Sequence, residues 1–196
     1  MKAKALAKAQ TEARAAMAKN WIAENGVLTG AADGGTIGSA KNYENFELIL
    51  DWKTEGEAAM GIRSIPQIAL GGKNSGALTG NMLHDNAAPK AAANGPQEWN
   101  TMQVKVVSDR VTVVLNGVTT AENVILENAC NREIPAYAEG QILLIAGNAP
   151  LNVREMYIRE LPATPRFELS EEEAADGFEV LFDGTSMHKW TGNTTN

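Results

Sequence analysis

Cysteine is nearly missing from this sequence. Cys130 stands alone, so no intramolecular disulfide can form, the redox compartment is left unspecified, and the residue reads most simply as a small buried apolar side chain. Histidine is almost as scarce, with only His84 and His188. No CxxC pair, P-loop, GxGxxG context or Ser-His-Asp order occurs, and the usual zinc, nucleotide and nucleophilic readings fall with them. Positive charge is in short supply too: 17 Lys and Arg against 24 Asp and Glu give a net charge of −7. Nucleic acids and anionic membranes need a basic footprint that releases counterions, so neither is the main partner. A neutral ligand fits this charge better. Long apolar runs are absent as well. The opening MKAKALAKAQTEARAAMAKN spreads lysines through its length and makes neither a signal peptide nor a membrane span.

What is present is a turn-rich, ordinary globular composition, with 44% hydrophobic residues and 18 glycines. Ala, Lys, Glu and Gln in residues 1–19 favour a helix, packed lightly because Leu6 and Met17 are its only large apolar residues. From Trp21 the pattern shifts to short β-type runs. Asn25-Gly26 between apolar flanks predicts a hairpin, since both turn positions need positive φ. In NFELILDWKT, Phe46, Leu48, Leu50 and Trp52 alternate with Glu47, Ile49, Asp51 and Lys53, the half-buried strand period. Pro66 interrupts the next apolar run. Residues 71–95, rich in Gly, Ala and Asn, read as a long loop that walls a binding face. WNTMQVKVVSDRVTVVLNGVTT is an antiparallel meander with turns at Ser108-Asp109 and Asn116-Gly117. QILLIAGNAPLNVREMYIREL adds two strands across the turn from Gly147 to Pro150. Ser170 and Glu173 form a capping box for a short helix ended by Gly177. FEVLF then reads as a last strand. The domain order is a helix at 1–19, a β-sandwich at 20–161, a linker and short helix at 162–176, and a strand and turn at 177–196. Short, regularly spaced strands without a βαβ alternation predict an all-β sandwich of jelly-roll type with helical appendages.

Taken in order, LFDGTSMHKW, WIAENGVL, NYENFELILDWK, GIR, Gln67-Ile68, EWNTMQVKVVSDRVTVVLNGV and IREL resemble the 3-keto-disaccharide hydrolase domain family. The resemblance covers residues 20–161 and 168–196. It implies a concanavalin-like jelly roll, a carbohydrate partner, and a periplasmic or extracellular location. The family's opening element, LFDG, here sits at the C-terminus, as in a tandem array or a permutation. That order predicts that FEVLF completes this sandwich or, by strand exchange, a neighbouring copy's in a homo-oligomer.

The family's chemistry, as the resemblance implies it, opens 3-keto-glycosides by elimination, which needs a base, an acid and a group to hold the enolate oxygen. Aligned without gaps, this chain replaces most of the polar positions. An Asn-Ser-Gly-Ile stretch becomes Ala59, Met60, Gly61 and Ile62, with Arg63 kept after it. A glutamate becomes Ile65, leaving Gln67 in its strand, and a glutamine and a histidine give way to Ile145 and Gly147. Arg154 is retained. The chain therefore reads as a catalytically degenerate copy that binds carbohydrate or scaffolds. The competing reading is an active hydrolase or lyase in which His84 and Asp85, from the long loop, replace the lost acid and base. Arg63, Gln67, Trp99, Asn100 and Arg154 are the ligand-binding candidates, expected on one face. Trp99 serves equally as a sugar-stacking platform or a core residue, and Arg154 as a hydroxyl donor or a structural ion-pair partner. No cofactor is expected. Asp183 and Asp85 are candidate oxygens for a structural calcium, but no calcium-loop spacing accompanies them.

Overall fold

A computed structural model describes residues 8, 19–79, 92–126, 128, 136–183 and 189–190. The helix expected over residues 1–19 lies outside these except at Lys8 and Lys19, both helical. His84, Asp85, Cys130 and His188 also lie outside them.

The fold is an all-β sandwich of two antiparallel sheets. Its strands are β1 (Trp21–Glu24), β2 (Val27–Gly30), β3 (Gly35–Gly38), β4 (Phe46–Lys53), β5 (Glu57–Gly61), β6 (Gln67–Gly71), β7 (Leu78–Thr79), β8 (Asn100–Val107), β9 (Arg110–Leu115), β10 (Val118–Ile125), β11 (Leu143–Ala146) and β12 (Leu151–Glu160). The larger sheet runs β1-β2-β12-β4-β8-β9-β10 and the smaller runs β3-β11-β5-β6-β7. The expected turns form where only small or amide residues reach positive φ. Asn25 and Gly26 (φ 50° and 76°) join β1 to β2, and Asn116 and Gly117 (49° and 82°) join β9 to β10.

The period of two decides the core. Phe46, Leu48, Leu50 and Trp52 of β4 face Met102, Val104 and Val106 of β8 in register, and all are buried. Met60, Ile68, Leu70 and Leu144 close the core from the smaller sheet. Within the stretch expected as one long loop, Leu78 and Thr79 pair with β6 as a short edge strand. β3, too rich in glycine to show a strand pattern, pairs with β11.

The expectation that FEVLF completes this same sandwich needs correction. FEVLF, residues 178–182, forms no strand of this sandwich. Phe178, Leu181 and Phe182 are exposed. The capping box forms as expected at helix α1 (Glu171–Ala175), with the Ser170 side chain accepting from the Glu173 amide. Beyond it, the Phe178 amide donates to Glu173 O at 3.1 Å, and Asp183 O accepts from the Phe167 amide at 2.7 Å. Those groups are then not available to a sheet edge.

One buried amide joins four parts of the chain. Asn45, just before β4, donates from Nδ2 to Pro162 O (2.7 Å) and Thr164 Oγ1 (3.0 Å), and its Oδ1 accepts from the Ser108 amide (2.8 Å) and from Arg63 Nη2 (3.3 Å). Asn45→Ala strands these partners in a site that is 3% exposed. It is expected to lower unfolding stability by about 2–3 kcal/mol, read as a drop in the urea midpoint with an unchanged slope.

Candidate functional site

The five ligand-binding candidates do not share a face. Arg63 is buried, at a backbone φ of 48°. Its Nε donates to Glu44 O at 3.0 Å, Nη2 to Glu44 O at 2.5 Å, and Nη1 to Tyr137 O at 3.4 Å. Burial draws its pKa down to about 10, partly offset by Glu44 and Asp109. The guanidinium stays charged at neutral pH, with its donors turned toward the protein. Asn100 is buried too. Its Oδ1 accepts from the Asn94 amide and from Asn116 Nδ2, each at 2.8 Å, and its Nδ2 donates to Glu98 O at 3.1 Å. Both residues therefore hold loops together, contrary to the expectation that they meet a ligand.

Gln67 opens β6 on the outer face of the smaller sheet, in the row Gly38, Leu143, Gly61, Gln67, Thr79. The neighbouring row is Thr36, Ile145, Ala59, Ala69. Leu143 lies across the small residues, close enough that a Cβ on Gly61 would meet it at 3.0 Å. No titratable side chain belongs to either row.

Trp99 and Arg154 do meet, on the outer face of the larger sheet. The Arg154 guanidinium carbon sits 4.0 Å from the Trp99 ring centroid, and Lys53 Nζ sits 4.9 Å from it. Arg154 Nε donates to Asp51 Oδ2 at 3.2 Å, and Thr101 Oγ1 donates to Asp51 Oδ1 at 2.7 Å. Register explains the meeting, since Arg154, Asp51 and Thr101 are paired neighbours on β12, β4 and β8. The next row on this face is Tyr157, Ile49 and Gln103, and the one after it is Arg159, Glu47 and Lys105. In that last row both cations bond Glu47, and its carboxyl is held below the usual range by the Arg159 hydrogen bond first. Tyr157 donates to the Glu155 carboxylate, which raises its own pKa.

A bulge builds this face. β12 pairs Arg154 with Asp51 but Tyr157 with Ile49, so it carries one residue more than β4 between them. Glu155 takes up the difference at φ 48°. Beside the bulge, β12 parts from the β1–β2 hairpin and leaves an open groove of about 350 Å³, lined by residues 23–28 and 153–156. Sequence reasoning missed Asp51, Lys53, Thr101 and Tyr157. The first three were within reach, because they lie out of phase with the apolar residues of their strands.

Among the described residues no three His, Cys, Asp or Glu side chains gather as a metal site. No described helix is long and apolar enough to cross a membrane.

A family model described as the 3-keto-alpha-glucoside-1,2-lyase-like domain matches residues 5–159. No curated protein matches the chain. Among solved structures, one candidate glycosyl hydrolase from Parabacteroides distasonis is 24% identical, with a TM-score of 0.58 over 73% of this chain and 91% of its own. A second from the same organism is 18% identical, with a TM-score of 0.57 over 73% of this chain and 84% of its own. At these identities the likeness is one of fold.

Proposed function

This chain belongs to the 3-keto-alpha-glucoside-1,2-lyase-like domain family, and on that premise we propose that it is a carbohydrate-binding or scaffolding member that has lost the family's chemistry. One observation carries the reading. The outer face of the smaller sheet, onto which the family-aligned positions Ala59, Gln67 and Ile145 project, presents Gly38, Thr36, Leu143, Gly61, Thr79 and Ala69 as their neighbours. Elimination beside a ketone needs a group that takes the C2 proton and one that protonates the leaving oxygen. None of these side chains titrates near neutral pH, and the acid in the next row of this face, Glu57, is exposed and stands opposite Gly71. Gln67 and the two threonines can hydrogen-bond hydroxyls, which is enough to hold a sugar and not enough to cleave it. A place outside the cytoplasm, as for the family's glycoside substrates, goes with this reading.

The alternative routes the chemistry through His84 and Asp85. Arg63, one of the two arginines that such a site would enlist, is committed to backbone carbonyls. The other, Arg154, lies on the opposite sheet from Gln67. We expect folded wild type to release no chromophore from a chromogenic 3-keto-glucoside, with or without added divalent metal. Turnover in wild type that disappears in His84→Ala would instead make this chain an active lyase or hydrolase.

A further inference from the structure

We propose that the outer face of the larger sheet, where Arg154 and Lys53 converge on Trp99 beside the β12 bulge, binds the carboxylate of an acidic sugar. The inference rests on the carbohydrate-binding reading above, and it adds a ligand class and a site on the other sheet.

The bulge is the first observation. Residues three apart on a regular strand point to opposite faces, yet Arg154 and Tyr157 pair with Asp51 and Ile49 of one face. Glu155, at φ 48°, is the non-glycine residue that makes this so. Backbone held in that region is a cost the surrounding structure must carry, and such outliers and bulges gather where a side chain has to be re-aimed.

The second observation is how Arg154 is held. Its Nε is fixed by Asp51, whose other oxygen is fixed by Thr101, and the guanidinium plane rests on Trp99. The side chain remains 39% exposed. Neither terminal nitrogen has a hydrogen bond among the described residues. A planar, oriented pair of N–H donors is the arrangement that takes a carboxylate in two parallel bonds. Lys53 adds a second cation over the same ring and has no carboxylate partner among the described residues.

The third observation is how the cations of this face are paired. Arg159 and Lys105 both bond Glu47, so each has a carboxylate contact. Around Trp99 the count is again two cations to one carboxylate, Asp51, but Lys53 bonds no carboxylate among the described residues and Arg154 uses only its Nε. A neutral sugar would gain nothing from that local excess, whereas a uronate answers it. Its pyranose ring can rest against the indole.

The test is calorimetric titration of the full chain with trigalacturonate and, separately, with maltotriose. Wild type is compared with Arg154→Met and Lys53→Met, each shown by thermal melting to be folded. Trigalacturonate is expected to bind wild type ~10-fold or more tightly than maltotriose and to lose ~10-fold or more in Arg154→Met. Lys53→Met is expected to lose about 3-fold, as for a single exposed charge. Trigalacturonate binding no stronger than maltotriose, or unchanged by Arg154→Met, overturns the acidic-sugar site and leaves carbohydrate binding standing. Failure of wild type to bind either sugar overturns the acidic-sugar site and takes carbohydrate binding out of the reading above, leaving scaffolding.

Discussion

Arg63→Ala is expected to lower unfolding stability by about 3 kcal/mol or more while leaving sugar affinity unchanged in whatever protein remains folded. The magnitude follows from what the guanidinium does. It satisfies Glu44 O with two donors, reaches Tyr137 O and contacts Asn45 Oδ1, all from a position 2% exposed. Truncation strands the part-buried Glu44 O, which loses both of its Arg63 donors, while Asn45 Oδ1 keeps the Ser108 amide, and a stranded acceptor costs about 1–3 kcal/mol. It also empties the space filled by the aliphatic stem. Lysine does not rescue this site, because a point charge on a flexible stem cannot reach three acceptors spread around a planar fork. Glycine relieves the positive φ but leaves the same acceptors bare, so Arg63→Gly should also fall well below wild type. Urea titration of the three variants gives the stability order, and sugar titration in the absence of urea gives the affinity. A variant as stable as wild type but unable to bind sugar would return Arg63 to the ligand-binding face that the sequence suggested.

That contrast shows which parts of this molecule were legible in the sequence. The strands β4 and β8 were, because alternation is a local property and both strands have one wet face. The same alternation, carried two residues back from Met102, places Asn100 on the inward face, as the structure does. The Asn-Gly turns were legible because positive φ narrows the choice of residues. β3 and β7 were not, because four and two residues give no period to detect. The Arg63 clamp and the Asn45 junction depend on carbonyls and amides from distant segments, and no local pattern announces them. The β12 bulge is of the same kind. VREMY reads as an unbroken strand, and only its pairing with β4 shows that Arg154 and Tyr157 share a face. Trp99 and Arg154 were therefore named as candidates from sequence, while their union with Asp51, Lys53 and Thr101 had to come from register.

Gly147→Ala is expected to cost about 3 kcal/mol or more, by a different mechanism. Gly147 begins the turn from β11 to β12, and this turn is pressed against the start of β5. A Cβ there would lie 1.9 Å from Glu57 O and 2.9 Å from Glu57 C, both backbone atoms that no rotamer change can move. The turn is also tied down on either side. The Asp33 amide donates to Gly147 O at 2.6 Å, and Asn148 Oδ1 accepts from the Glu57 amide at 2.8 Å. Relief of the overlap therefore requires β11, which pairs with both β3 and β5, to move relative to its neighbours. Gly26→Ala separates this steric cost from the ordinary cost of losing a glycine. Gly26 sits at φ 76°, and a Cβ added to it would meet nothing within 4 Å, so its substitution should cost only about 1 kcal/mol, the strain of a left-handed alanine. Urea midpoints for the pair decide the matter: equal losses would mean that the β11–β12 turn yields freely and is not clamped to β5. The expected inequality also separates Gly147 from the other close glycines of this sheet: at Gly61 and Gly38 an added Cβ would meet the Leu143 side chain at 3.0 Å, which can give way, whereas at Gly147 it would meet backbone.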